Sequence, residues 1–445
     1  MNIFRETGYP AVMTLSQKID YATLGMGQAS WRACLSLAML ILGVEFWSQT
    51  AVPAAEIEKE YELYFSAEFQ PQLGVAQAEI QLRQQRRLVR QLKFRAPESR
   101  YKALEADGEL ERSAEGFVWR PPASGGTLRY EFIVDQFRES SQGRRYEARM
   151  TADWALLRAG DLFPSAMLTA LKGARARSSL ALRGPSGWLF ETRYGATSSK
   201  LLPFSDPTKL FDRPTGWMMA GDFGIRRQII AERGVAVVAP KNSKVERMVI
   251  IAMLNWNLLE LTRVFPDFPE RLLIVSAGDP MWRGGLSGPG SLYLHSDRPL
   301  ISENGTSPLM HELVHLASRF SARRDDDWIV EGLAEYYGIE IMRRSGTMTE
   351  PRFRRTIGYL ESWAAQRKDP GLRAKKSKGA NNAASAVLMY KLDQEIRQLT
   401  EGKASLDDAV NELSKNPRKV SFSGLRNAVE GLIGRESEIL KTVVL

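Results

Sequence analysis

Ser307-Pro308-Leu309-Met310-His311-Glu312-Leu313-Val314-His315-Leu316, followed by Trp328-Ile329-Val330-Glu331-Gly332-Leu333-Ala334-Glu335-Tyr336-Tyr337, is the part of the sequence that decides the fold. Ser307 is a good N-cap, and Pro308 suits the first helical position, where its missing N–H costs nothing. Leu309, Leu313, Leu316 and Phe320 recur at helical spacing, which predicts a helix with one packed face. Positions four apart share a face of such a helix. His311 and His315 can therefore reach one tetrahedral ion, with Glu312 beside them to act on a bound water. The chain has only three histidines, the third being His295, so two of the three stand at the metal-binding interval. The competing reading, two satisfied polar residues in a buried helix, lacks a third partner.

The third ligand must be a carboxylate. A three-histidine extension would need Gly at 318 and His at 321, where the chain has Ser318 and Ser321, and no histidine follows. If the first helix ends near Phe320 and a second begins near Asp327, His315 and Glu331 lie about 7.5 and 6 Å from the hairpin turn. An antiparallel pair then brings them level. Glu335, one turn further, falls opposite His311 and is placed to accept that imidazole's other N–H. Asp325, Asp326 and Asp327 read as turn and cap residues.

Working outward, the whole chain is of ordinary globular make-up. Its 445 residues are 44% hydrophobic and 25% charged, which excludes disordered, collagen-like and membrane-bundle classes. The net charge of +9 is mild for this length and gives no ground for nucleic-acid binding. Residues 56–222 read as a β-rich, sandwich-like domain, with strand pieces at Tyr61 to Phe69, Ile80 to Leu82, Leu92 to Phe94 and Leu128 to Val134. Residues 223–445 carry strands at Gly234 to Val238, Leu272 to Val275 and Ser291 to His295, and a helix over Val245 to Val264. From Ser307 onward the pattern is mainly helical. Strands first and helices after predict an α+β chain. Gly278 to Gly290 reads as a mobile surface loop, and Lys368 to Asn382 as a solvated basic linker.

Ala33 to Val44 is a twelve-residue apolar run behind Arg32, too short to span a bilayer and suited to a secretory signal. Residues 1–55 are thus expected to be a signal peptide with a long n-region, translation starting at Met26 and cleavage falling after Ala54 or Ala55. Removal would take the single cysteine, Cys34, with it. An exported protein, periplasmic or extracellular, is expected, or a membrane-anchored one if the segment is not cleaved.

With these residues in place, the chain resembles the gluzincin metallopeptidases, whose signature is a His-Glu-x-x-His helix followed by a Trp-x-x-Glu-Gly-Leu-Ala-Glu-Tyr helix. Within them it is similar to the glycyl aminopeptidase-like family. That similarity continues in Leu392-Asp393, Ile396-Arg397, Thr400, Gly402-Lys403 and Ser405-Leu406-Asp407-Asp408. It implies a thermolysin-like catalytic domain with one Zn²⁺ held by His311, His315 and Glu331, Glu312 as general base, and Ser291 to His295 as the edge strand that pairs with substrate. A C-terminal PDZ module, common in relatives, is expected to be missing.

Three features depart from that pattern, the first being that only fifteen residues separate His315 from Glu331, fewer than is usual in the family, a spacing the hairpin arithmetic tolerates. The family's Gly-Gly-x-Glu-His strand, whose Glu grips a free N-terminus, is met here by Ser287-Gly288-Pro289-Gly290-Ser291. The family's Tyr, a donor to the tetrahedral intermediate, falls in Gly379 to Ser385, where there is no Tyr. His295 and Tyr390 are the candidates to replace that donor. The expected function is an exported zinc metallopeptidase that hydrolyses a peptide or protein substrate with a metal-activated water. The alternative is a zinc- and peptide-binding scaffold of the same fold without turnover.

Overall fold

The computed structural model describes residues 59–139, 143–369, 371–373, 375–415 and 419–443. The expected signal segment, with Met26, Cys34 and the run Ala33 to Val44, lies outside the described residues. Residues from Glu58 onward form one compact unit.

Period-two burial builds the first part of that unit. In the strand Glu60–Gln70, Tyr61, Leu63, Phe65, Ala67 and Phe69 all turn inward. This strand pairs parallel with Arg175–Arg183 and antiparallel with Val75–Arg83 inside a six-stranded sheet. A second six-stranded sheet has Trp154–Arg158 and Trp217–Gly221 as inner strands, and a four-stranded sheet includes Val89–Arg95 and Gly116–Arg120. Their inward residues, among them Phe65, Trp119, Phe132, Leu157 and Met218, merge into one apolar cluster.

A five-stranded mixed sheet follows, built from β1 (Phe223–Ile230), β2 (Arg233–Pro240), β3 (Arg271–Ala277), β4 (Gly285–Gly288) and β5 (Ser291–His295) in the spatial order β1-β2-β3-β5-β4. The inner strands β2, β3 and β5 are parallel, and β1 and β4 run antiparallel along the two edges. Val235, Val237, Leu272, Ile274, Leu292 and Leu294 pack on helices. Ala236, Val238, Leu273, Val275 and Tyr293 pack with Leu156, Trp217 and Met219 of the second six-stranded sheet. Burial on both faces is why these strands read as unbroken apolar runs.

The Gly-rich stretch Gly278 to Gly290 is not simply a surface loop, because it contains β4. Consequently Ser291 to His295 is an inner strand, and the free edge of the sheet belongs to Gly285–Gly288. Glycine has low strand propensity, so nothing local marks β4. Its pairing with β5 and the tight Pro289-Gly290 turn, with Gly290 at φ +58°, create it.

Five helices frame the sheet and the site: α1 (Arg247–Val264), α2 (Pro308–Ser318), α3 (Asp327–Arg344), α4 (Glu350–Ala364) and α5 (Ala380–Leu399). The last begins inside the expected linker, which places Asn381 and Asn382 in its first turn. Helix α3 is buried on nearly every side. Two glycines let it lie that close: a β-carbon on Gly332 would come 2.8 Å from Ser385 Cβ, and one on Gly338 would come 3.4 Å from the His311 backbone nitrogen. The architecture is α+β. No helix among the described residues is long and apolar enough to cross a membrane.

Candidate metal centre

Helix α2 starts as its sequence dictates. Ser307 Oγ accepts the Met310 N–H at 3.2 Å, and Pro308 occupies the first turn. Arg319 closes the helix in the left-handed region, at φ +52°. Leu309, Met310, Leu313, Val314, Leu316 and Ala317 bury one face, leaving His311, Glu312 and His315 half-buried on the other. Helix α3 begins at Asp327 after a short connection. Asp326 Oδ2 accepts the Phe422 N–H at 3.1 Å, and Asp327 Oδ2 accepts the Ser377 N–H at 2.9 Å. The three aspartates thus sit at the turn and the helix start and none joins the cluster below, but the expected cap is absent: Asp326, not Asp327, takes the N-cap position and its side chain makes no capping hydrogen bond.

The helix pair brings three side chains to a point. His311 Nε2 and His315 Nε2 are 3.0 Å apart. Glu331 reaches across, with Oε2 3.5 Å from His311 Nε2 and Oε1 3.4 Å from His315 Nε2. Donor atoms at about 2.0–2.1 Å from a tetrahedral zinc stand about 3.3 Å from one another. The observed separations of 3.0 to 3.5 Å therefore match a closed face of such a tetrahedron. Two nitrogens and one carboxylate are also a donor set of the catalytic zinc type, which keeps a fourth position open. These residues fit a zinc ion.

Neighbouring groups hold the three in place. His311 Nδ1 lies 2.9 Å from Glu335 Oε2, so Nδ1–H donates there and Nε2 turns to the cluster. Asn382 Nδ2 donates to Glu331 Oε2 at 2.8 Å. Glu312 Oε2 accepts the Ser287 backbone N–H at 2.7 Å, which ties it to the free edge of β4. Gly285 leaves room for this, since a β-carbon there would lie 2.6 Å from Glu312 Cγ. Burial resists charge on His311, but the Glu331 and Glu335 carboxylates outweigh it and push the imidazole up to about 10. Burial alone would raise Glu331, yet the two imidazoles beside it hold its carboxyl well below the usual carboxylate range.

Solved structures of similar fold are known. An aminopeptidase N family protein from Idiomarina loihiensis superposes with a TM-score of 0.62 at 13% identity, over 82% of this chain and 72% of that one. An M1 zinc metallopeptidase from Deinococcus radiodurans gives 0.54 at 17% identity, over 86% of this chain and 91% of that one. The α+β fold is similar to that of these M1 aminopeptidase-like structures. At such identities the likeness concerns the fold alone. No protein-family model matches the chain, and no curated protein matches it in sequence.

The structure thus gathers His311, His315, Glu331 and Glu335 as the hairpin arithmetic required, while Glu312, next in the chain to His311, holds its carboxylate at β4. It does not bring His295 or Tyr390 to them. The His295 ring is buried at the end of β5, where Nδ1 accepts the Asp297 N–H at 3.2 Å and Nε2 faces Asp279 Oδ1 at 3.5 Å. Its place on an inner strand, not the edge, turns it to those aspartates. Tyr390 packs its ring against Tyr336 and Phe353, at centroid distances of 6.4 and 5.9 Å, as a core aromatic between helices.

Three contributors escaped sequence reasoning: Gly285, Ser287 and Asn382. Gly285 and Ser287 lie on β4, which exists only through its pairing with β5 and has no local signal in the sequence. Asn382 had none, because its role depends on the approach of α5 to α3.

Proposed function

We propose that this chain is a zinc-dependent peptidase in which His311, His315 and Glu331 hold the ion and Glu312 is the general base. The observation that carries the reading is the triangle of donor atoms, with Glu312 next in the chain to one of its corners and its carboxylate held at the edge strand. When bound, zinc would lower the pKa of a water and polarise the scissile carbonyl. Glu312 would take the proton from that water and pass it to the leaving amine. Its Oε2 bond to the Ser287 N–H keeps the carboxylate at the strand along which a substrate backbone would lie. No strand among the described residues pairs with the outer edge of β4, so an extended peptide could add there around the Ser287 N–H that Glu312 accepts. Glu335 fixes the His311 tautomer.

A short peptide is the substrate class we assign. A mutant of the Deinococcus radiodurans neighbour has been solved bound to a Tyr-Ser-Ala substrate. The finer likeness to glycyl aminopeptidase-like gluzincins, with a β-rich region ahead of a thermolysin-like catalytic region, rests on the motif and on the order of the sheets. Export through residues 1–55, with membrane association if they are retained, rests on the apolar run alone; N-terminal sequencing of the mature protein checks it.

One observation favours the rival reading of a zinc- and peptide-binding scaffold. The segment Gly379 to Ser385 presents Asn382 to the site and no Tyr hydroxyl, and a missing oxyanion donor typically costs about 10²–10³ in rate. Bound zinc and peptide hydrolysis, measured for wild type and Glu312→Gln, separate the two. The peptidase reading expects one zinc in both proteins and a rate lowered about 10²–10⁴-fold in the variant. Equal rates in the two proteins would end it.

A further inference from the structure

We propose that Asn382 is a positioning residue for Glu331, fixing its carboxylate in the orientation that completes the donor triangle. The inference rests on the zinc reading above. Only the amide's N–H side can face a carboxylate, so the 2.8 Å contact defines Nδ2 as the donor and Glu331 Oε2 as the acceptor. Oε2 is also the oxygen nearer His311, and Oε1 the one nearer His315. Holding Oε2 therefore sets how both oxygens meet the imidazoles. A neutral donor does this without bringing a cation that would compete with the metal.

The first turn of α5 is itself fastened. Asn381 Nδ2 donates to the Leu372 carbonyl at 3.1 Å and to Ser377 Oγ at 2.9 Å. The Ser377 N–H donates to Asp327 Oδ2, at the start of α3, at 2.9 Å. Gly332, next to Glu331, lets Ser385, one turn beyond Asn382, come against α3. The amide thus approaches Glu331 from a backbone that is bonded to the same helix.

Asn382 also carries a liability. Its Oδ1 is buried and has no hydrogen-bond partner among the described residues, and a buried unpaired acceptor destabilises a fold. Stability alone gives no reason for an amide here, whereas the bond to Glu331 does. Removing the amide should then move two readouts in different directions, which a merely structural residue would not do.

The test is a chelator-competition titration of zinc, run beside thermal melts of the metal-free protein, for wild type, Asn382→Ala and the near-isosteric Asn382→Leu. The expected result is zinc affinity about 10- to 100-fold weaker in both variants, with the metal-free melting temperature unchanged or higher. Visible bands of the cobalt-substituted variants should shift as Glu331 reorients. Affinities within twofold of wild type would overturn the proposal, as would weaker binding matched by an equally lowered metal-free melting temperature. Wild type that takes up no zinc would instead overturn the reading of the site itself, so the two failures are told apart.

Discussion

His311 donates through Nδ1 to Glu335 and turns Nε2 toward His315 and Glu331, so in the metal-free chain its second proton occupies the side where a cation would bind. The imidazole is raised from its ordinary 6.5 to about 10 in the folded protein. Its contribution to stability is therefore complete below 6.5 and is lost as pH climbs through about 10. Glu331 is shifted the other way, so its contribution is complete above its ordinary 4.5 and is lost on acidification. Denaturant melts of the chelated protein should show this cluster contributing most between pH 4.5 and 6.5 and less toward 10. Zinc affinity should move oppositely, rising with pH because the ion must displace the His311 proton. Zinc binding that does not change between pH 6 and 9 would contradict this protonation pattern. A second residue prediction is simpler: His315→Ala removes one corner of the triangle and should abolish stoichiometric zinc, read by metal analysis.

Elements place these residues, and they differ in how openly the sequence announces them. The start of helix α2 was legible to the residue, because a Ser cap, a first-turn Pro and a stripe of Leu are local signals, whereas its end falls at Ser318, before the expected Phe320; Ser307→Ala should cost about 1 kcal/mol in denaturant unfolding. The α2–α3 pairing was legible as well, because 1.5 Å per residue turns a short connection into a register. Strand β4 was not, since a Gly-rich stretch becomes a strand only through its partner β5 and through the carboxylate of Glu312 held beside it. Gly285→Val tests that placement. A β-carbon would lie 2.6 Å from Glu312 Cγ, so activity should fall at least tenfold while zinc content stays at wild-type level. A rate equal to wild type would mean that the carboxylate does not need that space. The role of α5 was hidden for the same reason: Gly332, Ser385 and Asn382 are separated in sequence and meet only in the packed pair. Gly332→Ala forces Ser385 Cβ away from 2.8 Å. Overpacking of this kind typically costs about 1–3 kcal/mol, and here it should weaken zinc binding too, by moving Asn382 off Glu331.

At the scale of the molecule, the site stands on a sheet packed on both faces. Tyr293 and Val275 meet Trp217, Met219 and Leu156 on the side away from the helices. The Trp217 N–H groups tie the two sheets as well, the backbone one to Ser291 Oγ at 2.7 Å and the indole one to the Leu286 carbonyl of β4 at 2.8 Å. Trp217→Ala should therefore destabilise by about 3–5 kcal/mol and lower activity through β4, although it touches no metal ligand. Zinc should stabilise the whole unit by mass action, about 4 kcal/mol at a free concentration a thousandfold above its dissociation constant. The most direct measurement is anomalous scattering at the zinc edge from crystals of the zinc-loaded protein. The account predicts a single peak about 2.0–2.2 Å from His311 Nε2, His315 Nε2 and a Glu331 oxygen, with Glu312 outside that shell. A peak held by other residues, or Glu331 turned away from an ion bound only by the two histidines, would contradict it.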